Sequence, residues 1–585
     1  MVQKKRRKRY RLTPRFFLFI LIIIVIILLG IFLIVSCSHN RENPITDPFQ
    51  VGTSSTPGSS SQAELTPTPV PIPDPTSVAS THPDTFGLET EKENSFGRIS
   101  THLWHADLTF PDAESYTDMV GVTTFRGNNY RNDPTYGTAG TVSEKKLELA
   151  WTTEIRGSIS KSGAGTWFGC GWTGQPLIVR WDEQTKNNMN IYSEKKAQQD
   201  LVEIIYATEN SNIYFLDLKD GSFTRDKISG GWTFKGAGSL DPRGYPLLYV
   251  GAGDDGPNGA ARNMIFSLID GKMLYSYGAS DPFAQRSFTA FDPASLIHTE
   301  SDTLTYAAEN GIVYQMKLNT NYDAQNGTIS INPSDTVKMR YSTSRSRDGG
   351  TSSYWLGFES SPVIWRHYMY VSDNAGNLFC IDINTLEVVW MQDVMDDTNC
   401  SPVFEVDEKT GEASIYIGTS LHWTVDSNNY GYIPFWKINA LTGEIVWKDQ
   451  GYRCTRSSVS GGIQDTAALG KNNLSDLVYV AYAMTVDTET RGVLVAYNKA
   501  NGEKVWVKEL GSYSWSSPLI IYDDNGDGYI VECTSAGKMY LFDGRTGEKL
   551  DMLELEGNFE ASPAAFGDTI VIGTRAEKIY GVKIK

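Results

Sequence analysis

Cysteine is scarce in this sequence, with six residues in 585 and no C-x-x-C pair. The six are Cys37, Cys170, Cys380, Cys400, Cys454 and Cys533. Their wide spacing excludes a disulfide framework and a cysteine-based zinc site. We predict that the cysteines after Cys37 are small buried core residues, with a single disulfide as the alternative.

Short catalytic signatures are also missing. The chain contains no G-x-S-x-G, H-E-x-x-H or G-x-x-x-x-G-K-[ST] motif. The sequence therefore carries no signal for an α/β-hydrolase nucleophile, a zinc protease or a phosphate-binding loop.

Acidic residues outnumber basic residues outside the N-terminus. The first 37 residues hold eight basic and no acidic residues, and because the net charge is −17, the remainder carries −25. A body this acidic repels phosphate backbones. We predict that the protein has no nucleic-acid partner.

Long hydrophobic runs are limited to one, FFLFILIIIVIILLGIFLIV over residues 16–35. Twenty apolar residues span a bilayer as a helix, and the basic cluster before them favours the cytoplasm. The sequence predicts a cytoplasmic tail over 1–15 and a single-pass signal anchor over 16–36 in a bacterial cell membrane, with the rest extracytoplasmic. Alternatively, Ile34-Val35-Ser36-Cys37 resembles a lipobox, and Cys37 would then be lipidated after cleavage of a signal peptide.

The following segment, residues 37–95, is rich in Ser, Thr and Pro and includes TPTPVPIPDPT. It has too few large apolar residues to bury a core, and Pro-rich runs favour extended chain. We predict a disordered, semi-rigid stalk over 37–95, a lead-in segment over 96–145 and a folded body over 146–585.

The folded body repeats a unit of three parts. A Ser-Pro strand such as Ser361-Pro362-Val363-Ile364 comes first, a strand of aromatic and β-branched residues follows, and a strand with an Asp/Asn-x-x-Thr-Gly turn ends in Trp. The recurrent Trp390, Trp447 and Trp506 are predicted to pack between neighbouring sheets. The middle strands number eight, at 204–208, 247–251, 304–308, 369–373, 415–419, 478–482, 529–533 and 570–574.

This unit resembles the repeat of pyrroloquinoline-quinone-type β-propellers, with the consensus A-x-D-x-x-T-G-x-x-x-W. Thr124-Phe125-Arg126-Gly127-Asn128 resembles the segment that often precedes the first blade in that family. The resemblance implies an all-β propeller of four-stranded blades. Eight middle strands predict eight blades, with seven as the alternative. We expect residues 147–155 and 579–585 to share one blade and close the ring.

The family includes quinoprotein alcohol dehydrogenases, which hold a quinone and calcium on the axis beside a disulfide between adjacent cysteines. No two cysteines are adjacent here, and no stretch matches the calcium or catalytic positions. We therefore expect no quinone and assign no catalytic residue. An enzyme, quinone-dependent or polysaccharide-active, is the alternative function, with Glu359, Glu560, Asp241 and Asp397 as its candidate axial carboxylates.

Asp523, Asn525 and Asp527 follow the D-x-N-x-D-G order of calcium loops, and the carbonyl of Tyr529 would be the next ligand. The pattern then breaks, because Thr534 stands where an EF-hand has its closing Glu. The sequence thus predicts a loop-stiffening calcium site, with a plain Asn-Gly/Asp-Gly hairpin turn as the alternative.

Aromatic and charged residues precede the first strand of several blades. In a propeller these segments surround the central channel on one face, so their side chains could converge there and bind peptides or sugars. Packing between blades is the alternative role for the aromatic members. The candidate ligand-binding residues are Trp172, Trp232, Trp355, Glu359, Arg453, Trp515 and Glu560.

These observations favour a membrane-tethered, extracytoplasmic binding or scaffold protein. Its partner on the propeller face would be an envelope protein, a peptide or a cell-wall glycan. Calcium in the 523–529 loop is the one cofactor that the sequence predicts.

Overall fold

The computed structural model describes residues 70–160, 166–347, 354–457 and 459–585. The predicted cytoplasmic tail, the signal anchor, Cys37 and the first part of the stalk lie outside these residues. Within them, no helix combines the length and apolar character needed to cross a bilayer. The helices are short and comprise the 3-10 turns Pro83–Phe86, Ala113–Ser115 and Asn472–Leu474 and the α-helices Glu183–Asn188 and Ser193–Lys196.

Eight sheets of four or more strands form the blades of a β-propeller in the described part of the chain. This confirms the predicted all-β fold and the count of eight rather than seven. Blade 1 contains Val120–Val122, Leu177–Arg180, Glu203–Ala207, Asn212–Asp217 and Ile228–Ser229. Blade 2 contains Ser239–Leu240, Leu247–Gly251, Asn263–Ser267 and Met273–Tyr277. Blade 3 contains Leu296–His298, Thr303–Ala307, Ile312–Lys317, Ser334–Ser342, Glu89–Asn94 and Gly97–Ile99. Blade 4 contains Val363–Trp365, Tyr368–Ser372, Asn377–Asp382 and Glu387–Asp393.

The second half of the ring is the more regular one. Blade 5 contains Val403–Asp407, Glu412–Ile417, Trp436–Asn439 and Ile445–Lys448. Blade 6 contains Ala468–Leu469, Leu477–Ala483, Gly492–Asn498 and Lys504–Glu509. Blade 7 contains Leu519–Tyr522, Gly528–Cys533, Lys538–Asp543 and Lys549–Glu554. Blade 8 contains Thr135–Tyr136, Ala564–Phe566, Thr569–Thr574, Lys578–Ile584 and Leu147–Glu154. Small two-stranded sheets pair Ser158–Ser160 with Thr166–Phe168, Asn321–Asp323 with Thr328–Ser330, Ser346–Arg347 with Tyr354–Trp355, and Tyr430–Ile433 with Tyr452–Thr455.

The ring closes in blade 8, as the sequence predicted. Leu147–Glu154 pairs antiparallel with Lys578–Ile584, from Leu147 opposite Ile584 to Glu154 opposite Lys578. Residues more than 400 positions apart therefore share one sheet, and this pairing covers sheet edges that would otherwise be open.

The recurrent Trp and turn Gly of the repeat form contacts between neighbouring blades. The indole Nε1 of Trp447 in blade 5 donates to the carbonyl of Lys499 in blade 6, at 2.9 Å. Gly502, in the turn that follows Lys499, has φ +72° and lies against the Trp447 ring, where a Cβ would come within 2.7 Å. The same pair of contacts recurs between blades 4 and 5, 6 and 7, and 8 and 1, through Trp390, Trp506 and Trp151.

Apolar side chains fill the space between neighbouring blades, so the core is a ring of interblade layers. Between blades 8 and 1, for example, Val571 and Ile579 pack with Ile178 and Ile204 in one buried cluster. The strands are buried on both faces for this reason, which explains their near-continuous runs of apolar residues.

The end of the predicted stalk is ordered, so the prediction of a disordered segment up to residue 95 extends too far. Residues 70–95 run along the outside of blades 5, 4 and 3, with hydrogen bonds from Val70 to Glu408 and from Met391 to Thr81. Glu89–Asn94 then pairs with Ser334–Ser342. The physical reason is that the outer strand of a blade has unpaired backbone groups, which an extended segment can satisfy.

Candidate functional site

The two ends of the propeller axis differ, and the lead-in segment 120–136 closes one of them. Val120–Val122 adds a strand inside blade 1, and Thr135–Tyr136 pairs in parallel with Ala565 and Phe566 of blade 8. The residues between them hydrogen-bond to the start of the innermost strand in each remaining blade. We call this segment the axial plug.

Two fully buried arginines hold the plug in place. Arg126 donates to the carbonyls of Pro518 in blade 7 and Ala467 in blade 6, at 2.8 and 3.1 Å. Arg131 donates to the carbonyls of Pro362 in blade 4 and Ala294 in blade 3, at 2.9 and 3.0 Å. Burial lowers the pKa of each guanidinium to about 10. The Arg of the Thr-Phe-Arg-Gly-Asn motif is thus structural.

The serines of the Ser-Pro motif connect the blades around the axis. Each hydroxyl accepts from a backbone N–H of the preceding blade, which gives a continuous chain of hydrogen bonds from blade 3 to blade 8. Its members are Ala294 to Ser361, Ser361 to Ser401, Ser401 to Thr466, Thr466 to Ser517 and Ser517 to Ser562, at 2.9–3.3 Å. The carbonyls of Pro362 and Pro518, which follow two of these serines, accept from the two arginines.

The opposite end of the axis carries a cluster of carboxylates. One oxygen from each of Asp292, Glu309 and Glu359 lies within 4.8 Å of the others, and Glu359 is partly exposed. Nδ2 of Asn374 donates to Oε2 of Glu359 and to Oδ1 of Asp397, both at 2.9 Å. We call the surface around this cluster the axial mouth.

Burial dominates the electrostatics of these groups. It raises the pKa of the Glu359 carboxyl to about 8 and that of Asp397 to about 7, and the charge of Asp397 adds to the effect on Glu359. Burial also raises the pKa of Asp292 and, more strongly, that of Glu309. The Arg286 guanidinium, which donates to Oε1 of Glu309 at 3.2 Å, acts in the opposite direction.

Half-buried aromatic rings surround the carboxylates. The rings of Tyr354 and Trp423 stack at 4.6 Å, and Trp355 packs edge-on against Trp423 at 4.9 Å. On the other side, Trp172 lies 6.4 Å from Trp515. Hydrogen bonds join both groups to the cluster, because Trp423 donates to the Asn374 carbonyl and Trp172 to the Gln464 carbonyl.

The structure brings four of the seven candidate ligand-binding residues to this mouth, namely Trp172, Trp355, Glu359 and Trp515. Glu560 lies beside them, with Oε2 3.8 Å from Nε of Arg575. Trp232 is buried, donates to the Gly259 carbonyl and stacks with Arg262, so it packs within its own loop. Arg453 lies over the Tyr430 ring in a separate hairpin. Asp241, an axial candidate for the enzyme alternative, is instead paired with Arg243.

Sequence reasoning missed Asp292, Glu309, Asn374 and Trp423. A signal was available for two of them, because Glu309 and Asn374 each stand two residues before a turn glycine after the middle strands of blades 3 and 4. Glu209 stands at the same place in blade 1. An acidic or amide residue at this place thus marks the turns that face the mouth.

The predicted calcium loop forms a tight hairpin turn between Leu519–Tyr522 and Gly528–Cys533. Oδ1 of Asp523 accepts from the backbone N–H groups of Asn525 and Asp527, at 2.9 and 3.0 Å. Oδ1 of Asp527 accepts from Asn473 at 3.0 Å, and Tyr529 lies in the strand. The turn is self-sufficient in hydrogen bonds, and calcium binding there stays a prediction.

Together, the blades, the plug and the mouth define an eight-bladed β-propeller whose two axial ends differ. Residues 343–585 match the family model described as outer membrane protein assembly factor BamB. This part of the chain is similar to the PQQ-repeat, BamB-like β-propellers. No curated protein matches the sequence.

Several solved structures are similar to this chain at low identity. BamB from Moraxella catarrhalis is 14% identical, over 70% of this chain and 96% of that chain, with a TM-score of 0.42. The quinohemoprotein alcohol dehydrogenase ADHIIG from Pseudomonas putida HK5 is 12% identical, over 80% of each chain, with a TM-score of 0.49. The quinohemoprotein alcohol dehydrogenase from Comamonas testosteroni is 13% identical, over 80% of each chain, with a TM-score of 0.46.

The residues of this chain do not match the quinone site of such dehydrogenases. The five cysteines among the described residues are free, buried and distributed over blades 1, 4, 5, 7 and the 452–455 hairpin. No adjacent pair is available to form the disulfide on which the quinone stacks. That the protein binds no quinone stays a prediction.

Proposed function

We propose that this protein is a membrane-tethered, extracytoplasmic binding or scaffold protein that holds its partner at the axial mouth. The observation that carries the proposal is the difference between the two ends of the axis. The plug fills one end and contacts every blade, whereas the other end presents aromatic rings and carboxylates from several blades. Residues that serve only to pack a propeller would not need this arrangement.

The chemistry of the mouth favours a peptide, protein or glycan partner. Trp172, Trp355 and Trp515 offer flat faces that suit sugar rings or apolar side chains, and the carboxylates and amides below supply hydrogen-bonding groups that fix orientation. The family description, an outer membrane protein assembly factor, supports a partner in the cell envelope. The strong negative charge of the body disfavours nucleic acid.

We infer the membrane tether from the apolar run at 16–35, and a lipidated Cys37 is the alternative anchor. It is tested by the variant Phe96→Cys, because Phe96 is 97% exposed and the five described cysteines are buried. In a Cys37→Ala background, a membrane-impermeant maleimide added to intact cells should label the Phe96→Cys protein and leave the parent unlabelled. Labelling only after lysis would place the body in the cytoplasm and contradict the proposal.

The mouth is tested by affinity capture from solubilised envelopes with the full-length protein as bait. The double variant Trp172→Ala/Trp515→Ala should capture at least tenfold less partner than the wild type, because it removes the two neighbouring indole rings at the mouth. Tyr136→Ala/Phe566→Ala is the matched control, since these rings stack at 5.0 Å at the plug end. Equal capture by both variants would contradict the proposal.

Release of shortened glycans during incubation with cell-wall polymer would favour the enzyme alternative.

A further inference from the structure

We propose that the axial mouth binds an uncharged polysaccharide chain of the cell wall, with sugar rings laid on its tryptophan faces. This inference rests on the proposed function, because it names the class of partner that the mouth holds. A peptide or protein is the other class of partner, and it becomes an outcome of the test.

Tryptophan is unevenly distributed over the molecule. All fourteen tryptophans fall within the described residues, and nine of them are buried. The other five are partly exposed, and all five lie in the loops of the mouth side, namely Trp167, Trp172, Trp355, Trp423 and Trp515. Trp167 adjoins the mouth through Arg575, whose guanidinium lies over its ring and 3.8 Å from Glu560. Open indole faces gathered at one place mark a binding surface.

Hydrogen bonds hold three of these rings in fixed orientations. Their indole N–H groups donate to backbone carbonyls of neighbouring loops, from Trp172 to Gln464, from Trp423 to Asn374 and from Trp515 to Ser460, at 2.6–3.4 Å. The single polar atom of each indole is therefore satisfied by the protein, and the rest of the ring presents apolar surface. A flat surface oriented in advance suits the C–H face of a sugar ring, because binding then costs little ordering of the protein.

The ring pairs stand on opposite sides of the axis, which requires an extended ligand. Trp172 and Trp515 belong to loops that enter blades 1 and 7, whereas Trp355 and Trp423 belong to loops of blades 4 and 5. A single sugar covers one ring face. Only a chain of several sugar units can therefore use both pairs.

The polar groups between the rings have planar ends. Glu359 and Asp397 each accept from Nδ2 of Asn374 at 2.9 Å, and Oε1 of Glu560 accepts from Nδ2 of Asn558 at 2.7 Å. A carboxyl has more acceptor sites than these bonds use. Sugar hydroxyls both donate and accept, and two neighbouring hydroxyls match the two oxygens of one carboxyl. The mouth thus combines the two kinds of contact that a sugar ring offers.

The charges at the mouth favour an uncharged ligand. Burial raises the pKa of Glu359 to about 8, so at pH 7 its carboxyl is largely protonated and donates as well as accepts. Arg286 is paired with Glu309, and Arg575 is paired with Glu209. An anionic polymer would therefore find these cations already paired on an acidic body. A basic peptide would find the carboxyl of Glu359 uncharged.

The test is co-sedimentation of the full-length protein, purified in detergent, with insoluble cell-wall polysaccharide of the producing bacterium. Protease and amidase digestion removes proteins and peptides from the polysaccharide, and hydrofluoric acid removes phosphate-linked polymers. The wild type should sediment with it, and Trp172→Ala/Trp515→Ala should bind at least tenfold more weakly. Phe96→Ala is the matched control and should bind as the wild type does, because Phe96 is 97% exposed on the outer hairpin of blade 3.

Quenching of tryptophan fluorescence by acrylamide is a second measurement, and it needs no variant. The five partly exposed tryptophans all lie at the mouth, so they dominate the quenching. Soluble fragments of the same polysaccharide should lower the quenching constant of the wild type about twofold, because sugar rings cover indole faces. An unchanged quenching constant at saturating fragment would contradict the proposal.

Variants of Glu359 separate uncharged hydrogen bonding from charge. Glu359→Gln keeps a planar polar end and should weaken polysaccharide binding less than about threefold, whereas Glu359→Ala should weaken it at least tenfold. A tenfold loss in both variants would show that the ligand needs a negative charge at the mouth, and it would overturn the proposal.

Failure of this inference differs from failure of the proposed function. Absence of sedimentation by the wild type, or sedimentation that Trp172→Ala/Trp515→Ala leaves unchanged, would overturn the polysaccharide inference. If protease removes the partner captured from envelopes and glycan digestion does not, the mouth holds a protein, and the polysaccharide inference alone fails. Equal capture by the variants of the mouth and of the plug end would contradict the proposed function as well.

Discussion

At the scale of single residues, Arg131 joins the plug to the surrounding blades through buried hydrogen bonds. Its guanidinium donates to three carbonyls and to the Thr124 hydroxyl at 2.8–3.0 Å, entirely within the protein. A planar guanidinium can serve acceptors in several directions at once, which lysine cannot. The resemblance identified the neighbouring motif, but nothing in the sequence indicated that these arginines lie on the axis.

Replacing Arg131 with Met should therefore destabilise the protein by about 3–5 kcal/mol, since a similar volume remains but four buried acceptors lose their donor. Urea unfolding of the full-length protein measures the change. Arg491→Met, at an exposed position, is the control and should stay within about 0.5 kcal/mol of the wild type. A loss below about 1 kcal/mol in Arg131→Met would show that the plug is not held in this way.

The buried carboxyl of Asp465 leads to a prediction about how the stability of the protein depends on pH. Burial raises the pKa of its carboxyl to about 7 in the folded protein, compared with about 3.9 in an unfolded chain. Between these values the folded state binds more protons than the unfolded state, so this group makes stability fall as pH rises from about 4 to 7. The contribution is at most about 1.4 kcal/mol per pH unit.

Asp465→Asn should remove that contribution and make the free energy of unfolding less dependent on pH between 5 and 7. At pH 8 the variant should be as stable as the wild type or more stable. Urea midpoints at pH 5, 6, 7 and 8 provide the comparison. Parallel pH curves for the two proteins would show that Asp465 is already ionised in the folded state at pH 5.

The sequence indicated Glu359 but not Asp292 as part of the site, and the reason is local. Glu359 stands immediately before a Ser-Ser-Pro strand start, so the repeat pattern assigns it to the channel. Asp292 lies in blade 3, whose repeat lacks the Thr-Gly turn and the terminal Trp. Without those markers, no sequence spacing places Asp292 near Glu309 and Glu359.

At the scale of elements, the turn glycine and the preceding tryptophan act as one unit. Gly502 needs φ > 0 for its hairpin turn, and it must also lack a side chain because Trp447 occupies that space. The sequence predicted the turn from Asn-Gly and the interblade packing of Trp447 separately. That the two requirements meet at one residue follows only from the position of the next blade.

Gly502→Ala should destabilise the protein by about 3 kcal/mol, of which about 1 kcal/mol is backbone strain at positive φ and the rest is the collision with the indole. Gly137→Ala is the matched control, because Gly137 has φ +76° and nothing within 4 Å of its added Cβ. Thermal or urea unfolding compares them. An equal decrease in the free energy of unfolding in the two variants would mean that the contact with Trp447 does not contribute to stability.

The strands were predicted correctly wherever apolar and β-branched residues formed a clear pattern in the sequence. All eight middle strands lie where the alternation of apolar and β-branched residues placed them, including those of blades 2 and 3. The strand Glu89–Asn94 was missed, because its sequence ETEKEN is charged and its pairing partner lies more than 200 residues away. Its position is set by the free edge of blade 3 and not by its own β propensity.

At the scale of the whole molecule, the closed ring makes the two ends of the axis inequivalent. Leu147–Glu154 completes blade 8, and the plug that precedes it in the chain must then lie across one end. The sequence predicted the blade count from the eight middle strands, and it predicted the closing pair from the strand-like segments 147–155 and 579–585. It did not predict the plug, because hydrogen bonds from one segment to the starts of eight separate strands leave no periodic signal.

Site-specific photocrosslinking in living cells tests the central claim, that the partner binds at the mouth, most directly. Benzoylphenylalanine would replace Trp355 and Trp515 at the mouth and Tyr136 at the plug end, and it inserts into C–H bonds of protein and glycan alike. The account predicts that both mouth positions give the same adduct and that position 136 gives none. Adducts from position 136 alone, or from no position, would contradict it.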